Sequence, residues 1–198
     1  MTRYTQTAHL LLFMIGSITW VFSQEAHPST SSEYYPLAKG NSWKYQVHTA
    51  TNTNISTVVW RVTSVDKTKE GIIYQVWPAP SDSDDEAMML WISSSGLEET
   101  TSGVLIPKSP IVAGERWTTA KSSHHHKFHV LSVDQPCHEG SISSENCLTV
   151  EDEDDALRFR IITTYAKGIG PIRYEYYSKK APEVRPIQTV ELISYQLY

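Results

Sequence analysis

His124, His125, His126 and His129 lie within six residues, and His138 follows a little further on. Imidazole is the common protein ligand for zinc and copper, so metal chemistry would sit here. The stretch alternates as a strand, which points His124 and His126 one way and His125 and His129 the other, with Lys127 between them. One face therefore offers only two histidines. His124 and His126 are the candidate metal ligands, and a tetrahedral site would need more from His138 or Glu139. A polar strand entrance is the plainer reading of the same residues.

Cys137 and Cys147 are the chain's two cysteines, and they bracket a polar segment that contains Gly140. A hairpin with a cysteine on each stem fits that spacing. In an oxidising compartment a bridge is expected, and closing so short a loop would stabilise by about 3 kcal/mol. Two free thiols are the other arrangement.

Other chemistry finds no residues to carry it. The sequence has no G-x-S-x-G elbow, no H-E-x-x-H, no phosphate loop and no dinucleotide fingerprint. Glycosidases need two carboxylates across one cleft, but Glu98 and Glu99 are adjacent and so face opposite sides of a strand. Asp82, Asp84, Asp85 and Glu86 form an acidic loop without the glycine and spacing of a calcium loop, and read as a solvated turn. Asn54-Ile55-Ser56 is a glycosylation sequon. No enzyme activity and no cofactor are expected.

The elements that would position these residues are organised by a pattern that occurs twice. Pro36 to Trp43 and Pro110 to Trp117 both read P-[L/I]-x-x-G-x-x-W. Pro36, Gly40, Pro110 and Gly114 shape a turn, and Trp43 and Trp117 each start an apolar run. Further on, Arg61-Val62-Thr63-Ser64-Val65-Asp66 is echoed by His129-Val130-Leu131-Ser132-Val133-Asp134. Met88 to Leu97 is echoed by Arg160 to Ile169. Two related halves, 34–105 and 106–198, are therefore expected. The second also holds the turn glycines Gly168 and Gly170.

The N-terminus reads as an export signal. Arg3 precedes an uncharged stretch from His9 to Phe22, and cleavage is expected after Ser23. The apolar run falls short of the ~20 residues that a spanning helix needs. Residues 24–33 are polar and read as a disordered linker, leaving 34–198 as one domain. Formal net charge is -5 and no basic stripe occurs, which argues against nucleic acid as a partner.

Along that domain, period-2 alternation recurs between turn signals every 8–12 residues or so, and no sustained helical period appears. Val58, Trp60 and Val62 share one face of a strand that is followed by Ile72 to Trp77, with Pro78 and Pro80 as its stop. Leu157, Phe159 and Ile161 share another face, as do Ile172, Tyr174 and Tyr176. Glu151 to Asp155 reads as an acidic tip between strands. The fold class expected is all-β: one strongly curved antiparallel sheet or incomplete barrel of ten or so strands, built from the two related halves.

The opening Tyr35-Pro36-Leu37-Ala38-Lys39-Gly40-Asn41-Ser42-Trp43-Lys44-Tyr45 resembles that of a group of bacterial exported β-proteins, some labelled TapB-like. Tyr165 to Ile172 and Glu191-Leu192-Ile193-Ser194-Tyr195 are similar to that group's later motifs. The likeness spans most of the domain through short motifs. It departs at Glu145-Asn146-Cys147, which lacks the group's glycine turn, and at the histidine cluster, which has no counterpart there. The resemblance implies a β fold and an envelope location, periplasmic or extracellular, without a known ligand. The function expected is non-catalytic: binding an apolar small molecule or glycan on the curved sheet, or engaging another envelope protein in surface assembly. Metal binding through the histidines is third.

Overall fold

Alternating apolar residues need a second surface to cover them, and one sheet can provide it by curling on itself. The computed structural model describes residues 30–79, 87–100, 102–108, 110–121, 124–154, 159–179 and 185–198. The expected signal at 1–23 and the acidic loop at 81–86 lie outside them.

Among the described residues, one short helix, α1 (Ser31–Tyr34), precedes twelve strands. The first six are β1 (Ser42–Thr49), β2 (Asn52–Lys67), β3 (Gly71–Ala79), β4 (Met88–Ser93), β5 (Gly96–Glu99) and β6 (Gly103–Pro107). The second six are β7 (Arg116–Lys121), β8 (His124–Glu139), β9 (Ile142–Asp154), β10 (Phe159–Ala166), β11 (Gly170–Ser178) and β12 (Gln188–Gln196). All pairings are antiparallel, and the strand order is β6-β5-β4-β3-β2-β1-β12-β11-β10-β9-β8-β7. Each run of six is a meander. They join through a β12–β1 ladder, so the sheet forms a barrel closed everywhere except between β6 and β7. Strand β6 ends at Pro107, two residues past the expected half boundary at 105.

The two P-x-x-x-G-x-x-W turns make the same backbone bonds. Gly40 N–H donates to Val62 O at 2.9 Å, and Gly114 N–H to Val130 O at 2.8 Å. Asn41 N–H donates to Ala38 O, and Glu115 N–H to Val112 O. Val62 and Val130 then return a bond to Asn41 O and Glu115 O. Gly40 and Gly114 hold φ of 94° and 86°, where a Cβ would be strained, which is why both turns carry glycine. The tryptophan is the second residue of the strand that follows each turn. Trp43 is fully buried in the core, whereas Trp117 is half-buried and stacks on Phe128 with ring centroids 5.1 Å apart.

Several local expectations are corrected. Within the segment 24–33 read as a disordered linker, Ser31 to Glu33 are helical, because Thr30 and Glu33 form a reciprocal capping box that starts α1; residues 24–29 lie outside the described residues. Gly168 N–H also bonds Glu33 O at 2.7 Å, and Tyr34 O–H donates to Asp134 Oδ1 at 2.7 Å, so α1 is tied across the barrel end. Strand β3 runs through Pro78, which pairs with Trp60, so that proline does not stop it. The acidic tip is not a loop as far as Asp154, since β9 continues to that residue. Strand β5 had no counterpart in the sequence reading.

Cys137 and Cys147 are bridged, with Cα atoms 6.0 Å apart, across the β8–β9 hairpin. Gly140 and Ser141 make its turn.

Candidate functional site

Inside a barrel, every second residue of each strand points to the lumen. On β8 these are His126, Phe128 and Val130; on β9 they are Leu148, Val150, Asp152 and Asp154. Most of the interior is filled, by Trp43, Tyr45, Val62, Leu90, Leu97 and Ile172 among others. One part is not. A cavity of about 260 Å³ remains, just below the ~300 Å³ at which small-molecule sites commonly begin.

Five aromatic rings line it: Tyr35 after α1, Phe128 on β8, Tyr165 on β10, and Tyr174 and Tyr176 on β11. Met88, Leu105, Val150 and Ile161 add apolar surface, while Ser102, Thr163, Glu99 and Asp152 supply the polar groups. The rings hold one another in place. Tyr35 meets Trp43 edge-on at 5.2 Å and tilts toward Tyr165 at 6.4 Å, and Tyr45 meets Tyr174 at 5.9 Å. Tyr45 O–H donates to Pro171 O at 2.9 Å, deep in the core. Burial pushes the hydroxyls of Tyr35, Tyr165 and Tyr174 above the usual tyrosine range.

Both carboxylates are anchored. Glu99 accepts the Ser102 N–H at 2.8 Å. Asp152 faces His126 Nδ1 at 3.0 Å, and Asp154 lies 3.7 Å from His126 Nε2. Burial raises the Asp152 pKa above the ordinary carboxylate value, and the hydrogen bond from His126 pulls partly against it. His126 also stacks on Phe128 at 5.8 Å, which continues onto Trp117. The imidazole thus links the lumen wall to the seam between β6 and β7.

At that seam, Trp117 Nε1–H donates to Val104 O at 2.7 Å, and Thr119 O–H to Ser102 O at 2.5 Å. The two bonds keep one antiparallel register, with side chains standing where backbone N–H groups would be. A Cβ placed on Gly103 would come within 2.7 Å of Thr119, so the strands approach closely without a ladder. Ser102 and Leu105 line the cavity, so the lumen adjoins the seam.

The histidine cluster is dispersed by the strand. His126 is buried and faces two aspartates, His125 is exposed, and His129 pairs with Glu151 at 3.5 Å. The side chain of His124 lies outside the described residues. Among the described residues, no three His, Cys, Asp or Glu side chains converge as a metal would require. Pro36 and Pro110 precede the two turns, Gly168 binds Glu33, and Gly170 opens β11 against the Trp43 indole; none of these reaches the cavity lining. Sequence reasoning found the aromatic face of Tyr174 and Tyr176 but missed Asp152 and Glu99. The available signal was the alternation of Asp152 and Asp154 with Val150.

No protein-family model and no curated protein sequence matches the chain. Among solved structures, the chain is similar to a protein of inferred export with a YmcC-like fold from Bacteroides fragilis. Identity is 13% and the TM-score 0.51, over 81% of this chain and 97% of the other. An inferred lipoprotein from Parabacteroides distasonis aligns at 10% identity and TM-score 0.43, over 82% of this chain and 98% of that one. At such identities the first likeness is one of fold. Among the described residues, no helix is long and apolar enough to cross a membrane.

Proposed function

We propose that this chain is a non-catalytic, exported binding protein of the bacterial envelope that holds a small ligand in its barrel lumen. The carrying observation is the aromatic cavity of about 260 Å³ beside the one seam that lacks a ladder. Export is supported by the signal-like N-terminus, the Cys137–Cys147 bridge and the fold shared with a protein of inferred export. The TapB-like kinship rests on the shared motifs alone. The common bonding of the two tryptophan turns supports reading the chain as an internal repeat.

A rival reading has the protein assembling with others through its strand edges. It is less favoured because two carbonyls of the β6 edge region, those of Ser102 and Val104, are already occupied by β7 side chains. Native mass spectrometry of protein purified from its own host tests the choice. A retained small molecule that is lost when Thr163→Trp fills the cavity is the expected result. A bare monomer whose amides and aromatic resonances ignore every host extract fraction would overturn the lumen reading.

A further inference from the structure

Resting on that reading of the lumen as a binding site, we propose that its ligand is an uncharged, largely apolar ring compound with a carbonyl oxygen that accepts the hydroxyl of Tyr35. Tyr35 and Tyr176 both line the cavity. Tyr35 is only 4% exposed, yet its hydroxyl makes no hydrogen bond among the described residues. Tyr176 is half-buried, and its hydroxyl makes none among them either. Other buried phenols are satisfied by the protein: Tyr34 donates to Asp134 Oδ1 at 2.7 Å, and Tyr45 to Pro171 O at 2.9 Å. Among the described residues, the fully enclosed side-chain atoms that lack a partner are Trp91 Nε1 and Glu115 Oε2. The Tyr35 oxygen is therefore not enclosed, and the space it meets is the cavity it lines. A buried donor without an acceptor is costly, so this phenol calls for an acceptor in the lumen, and Tyr176 offers a second donor beside it.

The rest of the lining suits an uncharged ligand. Glu99 accepts the Ser102 N–H at 2.8 Å and Asp152 faces His126 Nδ1 at 3.0 Å, so both carboxylates have partners and neither asks for a cation. An anion would meet them as like charges in a poorly solvated space. Burial raises the pKa of Tyr35 and of Tyr176, which keeps both phenols as neutral donors. Met88, Leu105, Val150 and Ile161 make much of the wall apolar. A sugar would lose the hydration of many hydroxyls against those side chains, whereas a ring compound with few acceptors buries its body there. The tyrosine rings of the lining can pack edge-on or offset against such a body.

The test uses the full chain with carbon-13 methyl-labelled methionine, because Met88 lines the cavity and reports on occupancy. The ketone 1-tetralone is titrated beside tetralin, the hydrocarbon of the same ring skeleton, and beside methyl glucoside. The ketone is expected to shift the Met88 methyl resonance and to bind at least fivefold more tightly than tetralin. Tyr35→Phe should weaken the ketone at least threefold and leave tetralin unchanged. Tyr176→Phe makes the same test at the second donor should the first variant fail to fold. If tetralin binds as tightly as the ketone, if the variant changes the two alike, or if only the glucoside binds, the carbonyl inference falls and the lumen reading stands. If none of the three shifts Met88, both fall.

Discussion

The barrel's two runs of six strands meet twice, and the two junctions are closed by different means. At β12–β1, eight residue pairs from Ser42↔Gln196 to Thr49↔Gln188 form a backbone ladder. At β6–β7, an indole and a hydroxyl bond to carbonyls of the opposite segment. Strand length is one cause of the difference. Strand β12 has nine residues and β6 has five, and β6 ends on Pro107, which has no N–H to donate. The tryptophans follow suit. Trp43 is wholly enclosed and donates to Ile169 O at 2.6 Å, whereas Trp117 is half-buried and spends its donor on the seam. One turn motif thus serves as a core plug at one junction and as a stitch at the other. The stitched edge is also covered against pairing with foreign strands.

High pH should break the sealed side with the largest effect. Tyr35, Tyr45, Tyr165 and Tyr174 cluster around β1, β10 and β11, and burial raises their pKa values. In the unfolded chain they ionise near pH 10. Above that the folded state binds more protons than the unfolded one, so stability is intact below about pH 10 and falls as pH rises. The slope can reach about 1.4 kcal/mol per pH unit for each tyrosine. Phenolate absorbance from this cluster should appear only together with loss of the sheet's circular dichroism. Ionisation of Tyr35, Tyr45, Tyr165 and Tyr174 in a still-folded barrel would refute the enclosure.

Exchanging the two tryptophans for alanine sharpens the comparison. Trp43→Ala is expected to cost about 3–5 kcal/mol in urea unfolding. Trp117→Ala should cost roughly half as much, since it is only partly buried. Equal losses would mean that the turns do the same job at both junctions.

Removing the bridge with Cys137→Ser and Cys147→Ser should cost about 2–4 kcal/mol. The hairpin belongs to neither junction, so the contrast between Trp43 and Trp117 should survive in that background. A contrast that vanishes would place its origin in the hairpin.

The smallest expected effect is that of Thr119→Val, which deletes one seam bond and keeps the side chain's shape. About 1 kcal/mol is expected, together with faster amide exchange in β6. Unchanged exchange there would show that this hydroxyl does not help to close the seam.

Much of this was legible in the sequence because it was written in local pattern. Period-2 alternation located most strands, and the repeated proline, glycine and tryptophan marked both turns. The cysteine spacing indicated the hairpin. What escaped depends on contacts between distant residues. Glu151 to Asp155 looks like a solvated tip because charges normally face water, yet Asp152 and Asp154 point inward to meet His126 from the adjacent strand. Likewise, β5 offers only Leu97 as an apolar residue, and its pairing with β4 and β6 makes it a strand. Pro78 breaks a strand by rule, but in β3 it pairs opposite Trp60. That β6 and β7 would fail to form a ladder has no local signature beyond the brevity of Val104-Leu105-Ile106 and the proline that follows it.

Hydrogen exchange followed residue by residue on the full chain tests the unequal closure most directly. The amides of β1 and β12 that face each other should be protected to the level of global unfolding, and those of β6 and β7 that face the seam should exchange far faster. Equal protection at the two junctions would show a continuous ladder around the barrel and contradict the account.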